Sequence, residues 1–158
     1  MDVLHAKYFK FVAAGGDLDA ASERKLAMNA LSVKYTEKIV ENKSSQAVNP
    51  EDRHSIGIIP EGRGVLQAGT QDDLVAVHGG SHTGNVWTKG QSIRTLKKYD
   101  VRFAYYRASD GLLVIEDWTD MNFIPETELS YEQEKMTYLP FALMATATTD
   151  VTRDNSAA

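Results

Sequence analysis

The hydrophobic pattern of this chain changes period once, near Ile56, and that change limits the folds open to it. Before Ile56 apolar residues recur at helical spacing; after it they alternate. Val3, Leu4, Tyr8, Phe11 and Val12 predict an amphipathic helix over 2–14, stopped by Gly15-Gly16. Asp17 is placed to cap a second helix with the body AASERKLAM. Leu31, Val33 and Tyr35 alternate briefly as a strand, and Thr36 followed by EKIVEN predicts another short helix. Residues 43–54 are polar, contain Pro50 and read as loop. Strands are expected over 64–68, 74–82, 91–106 and 112–123, with Ser109-Asp110-Gly111 turning the last two into a hairpin and Pro125 ending the last strand. Helices followed by an antiparallel meander predict an α+β chain.

A length of 158 residues suits one domain with a real core. The formal net charge is −5 and no basic stripe is present, which argues against a nucleic-acid partner. The chain has no cysteine, so disulfides, thiolate metal sites and cysteine nucleophiles are excluded. The N-terminus lacks a secretory pattern and no window reaches the apolar length of a membrane span, so a cytoplasmic location is the expectation. Asn42-Lys43-Ser44 is a glycosylation sequon by pattern only. The chain divides into a domain over 1–125 and an extension over 126–158. The extension holds a capping-box pattern at Ser130 and Gln133, then an apolar run, TYLPFALMA, expected to pack on the domain or on a second subunit. The polar end, TTDVTRDNSAA, reads as disordered.

The stretch DDLVAVHGGSH over 72–82 carries the candidate chemistry. As a strand it places His78 and His82 on one face with Leu74 and Ala76. A second strand places Glu116, Trp118, Asp120 and Asn122 on one face, so both strands can line one pocket. A carboxylate against an indole wall resists ionisation, which suits Asp120 to acid–base work. His78 is the candidate proton partner. The alternatives are a solvated Asp120 at a strand end and a core His78 held by one hydrogen bond. His82 sits at a rim, since two histidines four apart on a strand lie roughly 13 Å apart and do not chelate one ion. No metal site is expected. Phe103, with Tyr99 and Tyr105, forms core, dimer surface or the wall of an aromatic-ligand site, and Tyr8 closes the same space. Glu116 and Asp117 point to opposite faces and are not read as a catalytic pair.

The order YFKFVAAGGDLDAA, then DDLVAVHGG, then KKYDVRFAYYRASDGLLVIEDWTDMNFIPE resembles the SnoaL-like polyketide-cyclase group within the fold class of nuclear transport factor two. The resemblance covers most of 3–126. It implies N-terminal helices packed in a curved antiparallel sheet, a cone with an internal pocket, and a homodimer. His54, in RHSIGIIPEGRG, resembles the family's His-Asn-Pro segment if an insertion is allowed. The function implied is a cofactor-free isomerase, cyclase or dehydratase acting on a hydrophobic oxygenated small molecule. Asp120 would be the acid–base group, with His78, Asn122, Trp118, His82, Tyr8, Phe103 and His54 around the substrate. A non-catalytic small-molecule-binding or interaction module is the alternative, and an epoxide hydrolase the third reading. The Arg-x-Asp pair of such hydrolases is replaced here by Gly79 and Ser81.

Overall fold

The computed structural model describes residues 2–42, 49–50, 52–67, 70–84, 86–90, 95–126 and 138–155. It is an antiparallel β structure with one short helix. The strands are β1 (Asp2–Ala13), β2 (Glu23–Arg24), β3 (Leu26–Asn42), β4 (Asp52–Gln67), β5 (Ser81–Thr83), β6 (Val86–Thr88), β7 (Lys98–Tyr106), β8 (Leu113–Pro125), β9 (Tyr138–Met144) and β10 (Val151–Asp154). The helix α1 spans Gln71–His78. The main sheet runs β8-β7-β1-β3-β4-β9, and β9 pairs back onto β8, so six strands close into a barrel. Strand β2 pairs β1, β10 pairs β8, and β5 pairs β6 as a separate hairpin.

The predicted α+β class is therefore corrected: no N-terminal helix packs into a sheet, because the N-terminal segments are themselves strands of the barrel. The helical spacing read over 2–14 comes from a register shift between Ala6 and Tyr8, where β1 meets β7. One extra residue moves the inward positions from Ala6 to Phe9 and Phe11, all buried. Two alternating runs out of phase by one mimic the three-and-four spacing of a helix. The AASERKLAM segment is not a helix either: it supplies β2 and the start of β3. Leu26 and Leu31 are both buried across an irregularity that holds Met28 and Asn29 at φ of 56° and 51°. The EKIVEN segment pairs residue by residue with β4. His54, placed in a loop by sequence, also lies in β4.

The segment 74–82 is corrected in the opposite sense. Residues 71–78 are helical, and only Ser81–Thr83 beyond them is strand. The start signal is in the sequence. Thr70 accepts from the Asp73 N–H while the Asp73 carboxylate accepts from the Thr70 N–H, which is a reciprocal capping box. Gly79 and Gly80, at φ of 78° and 86°, end it. Helix α1 lies against β8 and β9 and buries Leu74, Ala76 and Val77 in the barrel core. Among the described residues no helix is long and apolar enough to cross a membrane.

The hairpin expectation holds: β7 and β8 pair through Tyr106 and Leu113 around the Asp110-Gly111 turn. The apolar tail also packs as expected, with Leu139, Phe141, Ala142 and Leu143 buried in β9. Pro125 ends β8, but two strands follow it. The tail's polar end is corrected over Val151–Asp154, which pairs antiparallel with β8 from Trp118 to Ile115. The capping-box pattern at Ser130 and Gln133 lies outside the described residues. The barrel is filled by Phe9, Leu31, Leu66, Phe103, Trp118, Met121, Phe123 and Phe141, each no more than 1% exposed. Two inward glycines of β4 make room for that aromatic packing. A Cβ on Gly62 would sit 3.2 Å from the Trp118 ring, and one on Gly64 3.1 Å from Phe141.

Because β9 bonds to both β4 and β8, the segment after residue 125 completes the barrel. Truncation after Glu126 should abolish the cooperative thermal transition and the strand signal in circular dichroism. A truncated chain that melts cooperatively at an unchanged temperature would show residues 1–126 to be self-sufficient.

Candidate functional site

Alternation along β8 breaks at Asp120, which adopts φ of 53° opposite a register shift between Tyr99 and Val101. Inward positions run Glu116 and Trp118, then Met121 and Phe123. Asp120 and Asn122 therefore do not share a face with Trp118, and the pocket drawn from strict alternation does not form. The Asp120 backbone N–H donates to Asp100 at 3.1 Å, and its carbonyl accepts from the hydroxyls of Thr146 and Thr149 at 2.7 and 3.0 Å. Its carboxylate accepts from Thr148 at 2.7 Å. Asp100 also accepts from the Gly15 N–H at 3.1 Å, tying the first turn to the bulge. In this setting Asp120 is a corner of the fold.

The other predicted site residues are spread over the molecule. His78 is the last residue of α1, and His82 lies in β5 with Nε2 2.6 Å from the exposed Asp72 carboxylate. His54 is exposed on β4 opposite Val40. Tyr8 is half-buried on β1 with the Lys10 ammonium 5.2 Å from its ring centre. Phe103 is core and packs edge-on to Trp118 at 5.0 Å. Trp118 is fully buried, and Asn122 is half-buried with its side-chain oxygen lacking a hydrogen-bond partner. None of the four main cavities among the described residues is lined by Asp120 or His78.

A different cluster occupies the barrel mouth. Glu116 is fully buried. One carboxylate oxygen accepts from the Tyr35 hydroxyl and, at 3.4 Å, from the Trp118 indole N–H. The other accepts from the Tyr105 hydroxyl at 2.7 Å and from the Arg153 guanidinium at 3.4 Å. Four donors on two oxygens satisfy a buried carboxylate. They also link four strands: β3 through Tyr35, β7 through Tyr105, β8 through Trp118 and β10 through Arg153. Burial and the Glu116 acceptor raise the Tyr35 phenol well above its ordinary value, and the same causes push Tyr105 up to about 12. Burial alone would lower Arg153, but the Glu116 charge together with Tyr35 and Tyr105 outweighs it and holds the guanidinium protonated.

The cluster borders a mouth cavity of about 370 Å³ lined by Leu4, Val33, Lys34, Tyr35, Tyr105, Glu116 and Arg153. Outside it a cleft of about 630 Å³ runs between β4 and β10, with Tyr35 and Arg153 again on its wall. Beside Asp117, which points to the opposite face, Glu116 carries no signature of a catalytic carboxylate pair. Period-two patterning does place Glu116 on the inward face with Trp118, and a charge on an otherwise apolar strand face was the available signal. Tyr35 and Arg153 carried no such signal, since their approach depends on closure of the barrel. Among the described residues no group of three or more histidine, aspartate or glutamate side chains is placed to hold a metal.

Beyond the mouth, β3 and β4 continue alone. Strand β1 pairs β3 only at 30–33, and β9 pairs β4 only at 61–67. Residues 34–42 and 52–60 thus form a two-stranded arm with both outer edges unpaired among the described residues. At ~3.3 Å per residue the arm is roughly 30 Å long. One face carries exposed Ile39 and Ile58, the other exposed Val40 and Ile59.

No protein-family model matches this chain, and no curated protein is significantly similar to it. The cone implied by the SnoaL resemblance is not the fold observed, so a function does not follow from that resemblance.

Glu116→Gln removes the charge that Arg153 meets and one acceptor that the phenols need. It should cost about 2–4 kcal/mol in urea unfolding. An unchanged midpoint would show the cluster to be energetically idle. The phenols give a pH test. Their folded pKa values lie above the unfolded value of about 10, so their stabilisation is complete below that pH. It is lost as pH rises through about 12 for Tyr105. Of the seven tyrosines, Tyr35 and Tyr105 should ionise late in absorbance at about 295 nm, together with unfolding. Titration of every phenol near pH ~10 with the fold intact would contradict the cluster.

Proposed function

We propose that this barrel is a non-catalytic assembly module whose arm joins one copy of the chain to the next by strand addition. The arm carries the reading. An isolated two-stranded ribbon is marginal in water, and open edges invite another strand. Apolar residues on both faces of a ribbon suit cover on both sides. Ile58 is 60% exposed and Ile39 47%, in a chain whose barrel core is otherwise closed.

A second copy is the occupant favoured by charge. The chain as a whole carries −5, so copies repel over most of their surface. The arm instead mixes Lys34, Lys38 and Arg53 with Glu37, Glu41 and Asp52. Arms with interspersed charges approach each other without net repulsion. Arg53 and Glu41 already pair across the ribbon at 3.2 Å. The Tyr35–Glu116 bond fixes the arm where it leaves the barrel, which limits its swing and so the entropy lost on docking. Assembly of this kind needs no cysteine and suits the cytoplasm.

The enzyme reading has less support. All four acceptor positions of Glu116 are occupied, which leaves it no lone pair for a substrate proton. Asp120 is committed to the bulge corner.

Light scattering on the full chain at tens of micromolar should give a multiple of the monomer mass. The double variant Ile58→Lys with Ile59→Lys touches only exposed positions, so it should keep the barrel's thermal melt and weaken association at least ~10-fold. A monomer at every concentration, or an assembly indifferent to the double variant, would reject the proposal.

A further inference from the structure

The mouth cavity and the outer cleft meet at two side chains, Tyr35 and Arg153. We infer that this junction is a binding site for a small aromatic carboxylate. The inference shares Tyr35, Lys34 and Ile58 with the arm but is argued from the Arg153–Glu116–Tyr35 junction, so loss of assembly and loss of ligand binding are read separately.

The cation is held but not used up. Arg153 places one terminal nitrogen 3.4 Å from the Glu116 carboxylate, and its guanidinium lies 5.9 Å from the Tyr35 ring centre. Its side chain is nevertheless 48% exposed. A guanidinium has five N–H donors in a planar fork, so contact with Glu116 leaves donors for a second carboxylate. Glu116 does not depend on Arg153 alone, because Tyr35, Tyr105 and Trp118 donate to it as well. A ligand carboxylate can therefore share Arg153 without leaving Glu116 bare. Lys34, also on the cavity wall, adds a second positive charge. The opposing charges are Glu116, already covered by its four donors on the inner wall, and Asp150 on the wall of the outer cleft, where its carboxylate accepts from the Val151 N–H at 2.9 Å. Inside, Lys34 and Arg153 outnumber the Glu116 carboxylate by one charge, while outside Asp150 stands beside Arg153, which favours an anion entering carboxylate-first.

The remaining walls suit a flat apolar body. Leu4 and Val33 line the mouth cavity, and Ile58 and Val151 line the cleft. Tyr35 stands between the two spaces and packs edge-on to Trp118 at 5.8 Å, with its hydroxyl bound to Glu116. An aromatic face fixed in place at an apolar wall is a ready surface for a ligand ring. Volumes of about 370 and 630 Å³ fall in the range used for small molecules.

The test uses the full chain with 2-naphthoate and its uncharged counterpart 2-naphthamide, followed by calorimetry and by ligand-observed NMR. Naphthoate should bind saturably, and naphthamide at least ~10-fold more weakly, as the loss of a charge-assisted pair predicts. Arg153→Gln should weaken naphthoate by a similar factor and leave naphthamide nearly unaffected. Should Arg153→Gln fail to fold, Lys34→Gln, at an exposed position, takes its place, with a loss of about 2–5-fold expected. Light scattering on the same samples separates ligand binding from any change of assembly. No saturation by naphthoate at millimolar concentration, equal affinity for the two probes, or affinity untouched by the variants would each overturn the inference.

Discussion

A sheet closed on itself needs every strand to find two neighbours, and in this chain that requirement falls on β9. Its seven residues pair with β4 along one edge, and the last four of them, Phe141 to Met144, pair with the end of β8 along the other. Without it, β4 and β8 would each present an open row of N–H and C=O groups beside an exposed aromatic interior. The order of strands places the last part of the chain between segments far earlier in it. The barrel core, the mouth cluster and the seat of α1 all presuppose that closure.

Closure also explains the buried charge. Glu116 lies on an inward position of β8, among Phe103, Trp118 and the other core aromatics. A carboxylate is tolerable there only where donors converge from several directions. The barrel supplies them from β3, β7, β8 and β10 at one end, where the wall opens. The same network then does three things. It stabilises the mouth, it pins the root of the arm through Tyr35, and it holds Arg153 half in solvent. The two proposals made for this molecule, an arm that joins copies and a site for an aromatic carboxylate, begin at opposite sides of that one cluster.

Bulges are the second organising device. The register shifts at Ala6/Tyr8 in β1 and opposite Asp120 in β8 each insert one residue, and the irregularity at Leu26/Leu31 in β3 inserts three, so each reverses the phase of the inward set. Each bends the sheet as a small barrel requires. Arg102 crosses the outer face and clamps Asp117 at 2.7 and 3.0 Å, and it also pairs with Asp19 in the first turn. Asp117 holds that guanidinium protonated well above its ordinary range. Such outer clamps keep neighbouring strands in register where the bulges have broken the simple alternation.

Read alone, the residues of this chain determined the hairpin at Asp110-Gly111, its two strands (expected over 91–106 and 112–123, of which the first begins only at Lys98), the packing of the apolar tail and the absence of disulfide chemistry. These are local properties: a turn type set by glycine, alternation over most of each strand, an apolar run too large to leave exposed, a missing residue type. The helix at 71–78 was also legible, through Thr70 and Asp73, but the short apolar run LVAV fits either period and was read as strand. What only the tertiary structure decided is the rest. A bulge reverses the phase of alternation, and from sequence that reversal cannot be told from a helical repeat, so 2–14 and the parts of β3 on either side of Leu31–Tyr35 read as helix and strict alternation sets Asp120 on the face of Trp118. The mouth cluster joins residues 35, 105, 116 and 153, which no local pattern links, because their meeting is a consequence of which strands lie side by side. Local sequence chooses φ and ψ one residue at a time, whereas strand order and register are settled by the non-local search for partners that leaves no buried polar group unpaired.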